Sequence, residues 1–305
     1  MHIPDMMLQG AICPVTAGLA AVGLAGTAYA AYKTKIKPAA SFFAGVTALV
    51  FAAQMANFPI LAGTSGHILG ATLAVALLGS AFGVMAMSLV VIAQCLVFAD
   101  GGISALGANL LNIALIASLP AVIVREFFSV TSFQKTAYLG AALVSTLLAA
   151  AACAVQLALA GTAPIQSVLP AMLSVHALIG LAEAGLTIAA LAAVSYAVTK
   201  VAPQRAWIVP LGFAAVVAMV IAPFAATTPD GLESVVGTFG CTCAHGHCIV
   251  HLSSSLLNTP FAAYTVPAVS SEILSTALAG FIGVTLLFAV AYGTRRMFVQ
   301  KENGQ

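Results

Sequence analysis

Apolar residues run along this chain in long unbroken stretches separated by short polar punctuation, not in the alternating pattern of half-buried strands. Runs of about 18 or more apolar residues mark membrane-crossing helices. Nine can be read, at 10–32, 39–57, 66–80, 82–99, 105–124, 136–160, 170–199, 206–226 and 271–293. The third and fourth come from one run, 66–99, which is too long for a single ordinary crossing; Gly79-Ser80 and Gly83 supply the break. The short alternating segments of a transmembrane barrel are absent. The expected class is an all-α integral membrane protein of about nine transmembrane helices.

Composition agrees. Of 305 residues, 62% are hydrophobic and 6% charged, against about 25% charged in soluble domains. The charges also test the topology. With the N-terminus outside and the C-terminus cytoplasmic, all ten basic residues fall inside: Lys33, Lys35, Lys37, Arg125, Lys135, Lys200, Arg205, Arg295, Arg296 and Lys301. This is the positive-inside pattern, and merging spans three and four would break it. Outside lie Asp5, Asp100, Asp230, Glu233 and Glu272, with His2, His67, His245, His247 and His251. A face bearing carboxylates and imidazoles suits cation capture, although outer loops also carry whatever polar residues insertion permits.

Connections are short through residues 1–202. Residues 203–305 read as a helix pair enclosing one long outer loop, 227–270, of a length that is usually functional or disordered. The domain junction is placed near 200–205. The start has no basic region and no cleavage site of a secretory signal. His2 is large, so Met1 is expected to be retained.

That start carries candidate chemistry. An unblocked Met1 amine, the His2 amide nitrogen and the His2 ring Nδ1 can close two fused chelate rings on one metal. The amide must lose its proton, which Ni(II) and Cu(II) can drive in square-planar nitrogen fields. His67, after Gly63 and Gly66, is the candidate fourth nitrogen; the alternative is a solvated tail and an ordinary helix-start histidine. Asp100, on the same face, could orient His67 through its second ring nitrogen, or simply form an Asp-Gly turn. His176 and Glu183 are seven residues apart and share a helix face. Such intramembrane ionisable groups are either functional or a polar pair that holds helices together. In the outer loop, Cys241, Cys243, His245, His247 and Cys248, followed by His251, could form a soft-metal site or a disulfide. Cys13, Cys95 and Cys153 read as small core residues. No P-loop, zinc-protease or hydrolase-elbow signature occurs.

Met1-His2-Ile3-Pro4-Asp5, then Asn57-Phe58-Pro59-Ile60 running into Gly63-Thr64-Ser65-Gly66-His67, resembles the CbiM/NikM substrate-binding component of energy-coupling-factor cobalt and nickel importers. So do Phe98-Ala99-Asp100-Gly101-Gly102-Ile103 with Leu106-Gly107-Ala108-Asn109, and His176-Ala-Leu-Ile-Gly with Glu183-Ala184. Pro229-Asp230-Gly231-Leu232-Glu233 matches the signature of the PDGLE, or NikN-like, component, and Tyr264-Thr-Val-Pro267 fits it as well. The resemblance implies a seven-helix core plus a two-helix unit in a prokaryotic plasma (inner) membrane. It also implies an inward-tucked N-terminus whose Met1 amine, His2 amide, His2 ring and His67 ring hold the metal. The implied cargo is Ni²⁺, the commoner case for fused chains, or alternatively Co²⁺, with no permanently bound cofactor. The implied partners are a membrane coupling (T) subunit and cytoplasmic ATPase (A) subunits on other chains. Asp5-Met6-Met7 departs from the commoner Asp-Gly-Phe, and the stretch 241–251 matches no family feature. Rival expectations are a stand-alone secondary transporter or channel, and a membrane metalloprotein using the Cys/His loop.

Overall fold

A computed structural model describes residues 1–60, 63–128, 133–239 and 256–300. Its helices are α1 (Ile12–Lys33), α2 (Ala40–Met55), α3 (Ala71–Leu78), α4 (Ser80–Phe98), α5 (Leu106–Phe128), α6 (Gln134–Leu159), α7 (Ile165–Val198), α8 (Pro203–Phe224), α9 (Gly231–Phe239) and α10 (Glu272–Gln300). The π-helical turn Leu110–Ile116 lies inside α5. Among the described residues, seven helices are long and apolar enough to cross a membrane: α1, α4, α5, α6, α7, α8 and α10. The protein is an all-α, multi-pass membrane protein.

Two of the nine expected spans differ from full crossings. α2 has 16 residues, about 24 Å at 1.5 Å per residue. α3 has only eight, about 12 Å, so residues 66–80 do not form a full-length helix. The reason is local. Pro59 cannot continue a helix, and Gly63 and Gly70 hold left-handed backbone at φ +75° and +77°. Instead β1 (Phe58–Pro59) pairs antiparallel with β2 (Ser65–Gly66). Gly79, at φ +91°, then turns α3 into α4.

α2 is the hub. Every residue from Phe43 to Met55 is buried, as expected of a helix that is apolar all round. The second unit packs directly on it. Gly45 lies against Trp207 and Pro210 at the start of α8, and Gly283 of α10 lies against Phe51. Elsewhere, Asn112 and Gln156 exchange reciprocal side-chain hydrogen bonds of 2.7 Å between α5 and α6.

The connections sort to two ends. At the basic end, Arg125 Nη1 donates to the Ala76 carbonyl at 3.2 Å, and Arg295 Nε donates to the Pro38 carbonyl at 2.9 Å. At the other end the N-terminal segment, the β1–β2 pair, the α4–α5 turn and residues 226–234 meet.

Candidate metal centre

Residues 1–11 form no helix, yet Met1, His2, Ile3, Asp5, Met7 and Leu8 are buried. The chain enters the protein because its backbone is paired there. Ile3 N–H donates to Asn109 Oδ1 at 2.8 Å, and the Ile3 carbonyl accepts from Asn109 Nδ2 at 3.0 Å and from Gly102 N–H at 2.9 Å. Asp5 clamps the next turn: Oδ1 accepts from Ser104 N–H (2.9 Å) and Oγ (2.7 Å), and Oδ2 accepts from Leu256 N–H (2.9 Å). At Gly102 a Cβ would collide with the backbone of Asp5, so glycine is required for the segment to lie this close.

This anchoring delivers Met1 and His2 to His67. The Met1 nitrogen lies 3.0 Å from His67 Nε2. A metal with bonds to nitrogen of about 2.0–2.1 Å places neighbouring corners of a square about 2.9 Å apart, so these two atoms already have the spacing of adjacent ligands. His67 Nδ1 donates to the Ile68 carbonyl at 3.1 Å, so Nε2 is unprotonated and its lone pair accepts from the Met1 ammonium. The His2 and His67 rings stack, with centroids 5.3 Å apart and planes 20° apart.

The expected contact from Asp100 to His67 is not made. The second His67 nitrogen is taken by its own backbone neighbour, and Asp100 Oδ1 lies 3.1 Å from His2 Nδ1 instead. His2 Nε2 lies 3.1 Å from Gln94 Oε1. Tyr264 closes the ring of contacts: its hydroxyl donates to Asp100 Oδ2 at 2.5 Å and accepts from Gln94 Nε2 at 3.1 Å. On the far side, the Met1 ammonium donates to Asp230 Oδ2 at 2.5 Å.

The electrostatics follow from this arrangement. Burial depresses the Met1 ammonium pKa, but the charge and hydrogen bond of Asp230 outweigh it and the net shift is upward. Burial raises Asp230 and Asp100; the Met1 ammonium reverses this for Asp230, and His2 and the Tyr264 hydroxyl for Asp100, so both end below the usual carboxylate range. Burial and the neighbouring ammonium push His67 down to about 3, so its ring is neutral and available as a lone-pair donor. A cleft of about 570 Å³, lined by His2, His67, Asp100, Asp230 and Glu233 among others, leads to these groups. Four carboxylates on its wall, Asp5, Asp100, Asp230 and Glu233, favour the approach of a cation.

Glu183 proves to be a strut. Its two oxygens accept from Leu69 N–H (2.6 Å) and Gly70 N–H (2.9 Å), holding the loop that carries His67. His176 bonds within its own helix, Nδ1 to the Met172 carbonyl at 2.7 Å. Cys13, Cys95 and Cys153 are free thiols packed in or beside the core. Cys241, Cys243, His245, His247, Cys248 and His251 lie outside the described residues. Gln94 did not stand out in the sequence, and Asn109 stood there only within the Leu106–Asn109 block, with no role of its own. An amide within or at the end of an apolar run is costly unless it is partnered, and that was the available signal.

The profile of CbiM, the cobalt uptake substrate-specific transmembrane region, matches residues 2–205, and that of the PDGLE domain matches residues 204–300. The chain is similar to the putative fused nickel transport protein NikMN of Archaeoglobus fulgidus, with 31% identity across 97% of this chain and 98% of that one. It is also similar to the fused nickel transport protein NikMN of Rhodobacter capsulatus, 36% identical over 41% of this chain and 36% of that one. The crystal structure of a truncated transition metal transporter superposes with a TM-score of 0.57 at 30% identity, covering 64% of this chain and 99% of that one.

Proposed function

The chain belongs to the CbiM family of cobalt uptake transmembrane regions, fused to a PDGLE domain, and from this we propose that it is the metal-capturing membrane subunit of an energy-coupling-factor importer for Ni²⁺. The observation that carries the reading is the convergence of Met1 N and His67 Nε2 at 3.0 Å, with His2 stacked beside them. The metal, as cargo, sits in a square of four nitrogens: the Met1 amine, the His2 amide, His2 Nδ1 and His67 Nε2. The amine and His2 Nδ1 occupy opposite corners, because the fused chelate rings place the amide between them. His67 takes the fourth corner, adjacent to the amine.

Each protein group has a defined task in loading. Asp230 holds the amine and Asp100 holds His2 Nδ1 while the site is empty. His2 Nδ1 must exchange Asp100 for the metal, and Gln94 retains the other ring nitrogen and fixes the ring plane, as outer-shell partners of metal-bound histidines do. The fused nickel transport relatives and the preference of a deprotonated-amide square for Ni(II) favour nickel. The cobalt named in the family description keeps Co²⁺ as the second ion. ATP is hydrolysed by separate ATPase subunits that act through a membrane coupling subunit, and the core then reorients or reopens to release metal inward.

The test is the absorption spectrum and metal content of purified protein beside His2→Ala and a variant with one residue added before Met1. A yellow square-planar Ni(II) signal, lost in both, is expected. Its survival in the extended variant would remove the amine from the ligand set.

A further inference from the structure

The motif Pro229-Asp230-Gly231-Leu232-Glu233 lies in the second unit, over 160 residues from His67 in the chain, yet its Asp230 meets the Met1 amine and its Glu233 lines the same cleft. We propose that Asp230 is the positioning residue for the Met1 amine, so that the PDGLE motif builds one wall of the metal site. This rests on the nitrogen-square reading above and adds a partner to it.

Asp230 is held at the start of α9 by Glu233. Its Oδ1 accepts from Glu233 N–H at 2.8 Å, and its own N–H donates to Glu233 Oε2 at 3.1 Å. This is a reciprocal capping box at the start of α9, and it fixes the side-chain rotamer. Only Oδ2 is left to face outward from the helix, and it meets the Met1 ammonium at 2.5 Å. The other letters of the motif support the same placement. The Pro229 carbonyl accepts from Ser65 N–H at 2.9 Å, stitching the motif to β2, just before His67. Ser65 Oγ adds a bond of 2.6 Å to the Thr228 carbonyl, and Thr64 and Ser234 hydroxyls lie 2.9 Å apart. Gly231 runs against His176, where a Cβ would lie 3.0 Å from the ring carbon Cε1. Leu232 is fully buried. The motif therefore aims one carboxylate oxygen at one atom, the amine that is 3.0 Å from His67 Nε2.

A chain end has no fixed position of its own. Held by Asp230, the amine waits at ligand spacing from His67, and the ordering entropy is met before metal arrives. Without that carboxylate, a buried ammonium has lost its counter-charge and its place.

Asp230→Asn and Asp230→Ser are informative because each keeps an oxygen able to cap α9 while removing the anionic oxygen that meets the amine. At a pH above the raised pKa of the amine, where proton competition no longer masks the loss, Ni²⁺ binding to the purified full chain should weaken about 10–100-fold in both, the range for outer-shell partners of metal ligands. The absorption band at saturation should stay that of wild type, and so should the far-ultraviolet circular dichroism of the metal-free protein. A second readout needs no metal: labelling of the Met1 amine by an amine-selective reagent, followed on the N-terminal peptide by mass spectrometry, should be faster in both variants. Wild-type affinity together with wild-type labelling in the variants would overturn the proposal. A shifted saturated band would overturn it too, by making Asp230 a ligand. If wild type itself binds no Ni²⁺, the nitrogen-square reading fails, and faster labelling in the variants would still support the Asp230 anchor.

Discussion

Metal capture should be steeply pH-dependent, because the empty site stores protons on the atoms that must bind. The Met1 ammonium gives up one proton, and its pKa is raised by Asp230. The His2 amide gives up a second. The His2 ring meets Asp100 at Nδ1 and Gln94 at Nε2, and Nδ1 must leave Asp100 to reach the metal. His67 contributes none, since it is held neutral by a pKa of about 3 and its Nε2 is already unprotonated. Two protons leave per metal, so affinity rises about 100-fold per pH unit, or about 2.7 kcal/mol. The sign is fixed by competition: protons and metal share the same lone pairs, so affinity grows with pH. The slope then falls by one above the raised pKa of the amine, where that proton has already left. Competition with a chromophoric chelator between about pH 6 and 7.5, on purified full-length chain, measures the slope. Calorimetry in two buffers of different ionisation heat counts the protons directly. A slope of one or less would refute the reasoning, since the amine and the amide could not both be ligands.

Three further outcomes test the supports of the site. Gln94→Leu removes the group that holds His2 Nε2, and Ni²⁺ affinity should fall about 10–100-fold with the saturated absorption band retained; equilibrium dialysis and absorption spectra check both. Glu183→Gln turns an amide N–H₂ toward a backbone N–H of Leu69 or Gly70. Leaving that donor unpaired costs about 1–3 kcal/mol, to be read as a lower thermal midpoint and weaker metal binding. Gly102→Ala places a methyl group against Asp5 and should abolish Ni²⁺ binding by displacing residues 1–5, with helix content by circular dichroism unchanged.

The sorting of basic residues to one end was legible from order alone, and the structure brings the loops of that end together through Arg125 and Arg295. The fate of span three was not legible. Residues 66–80 are apolar enough to cross, but Gly70 and Gly79 at positive φ confine the helix to eight residues and leave His67 on a loop that Glu183 can hold. Hydropathy averages over such a window, whereas backbone conformation is decided residue by residue.

Membrane insertion, the all-α class and the opposition of basic and acidic ends were determined by the sequence itself, because lipid leaves a backbone few ways to satisfy its hydrogen bonds. The candidate nitrogens Met1, His2 and His67 were also readable, since chelate chemistry is local to the first two residues. Tertiary structure alone decided which group holds which. It gave Asp100 to His2 and not to His67, set Gln94 and Tyr264 around that pair, and carried Asp230 across from the second unit to the Met1 amine. These contacts join residues separated by 92 to 229 positions, and no local pattern encodes a distance of that kind.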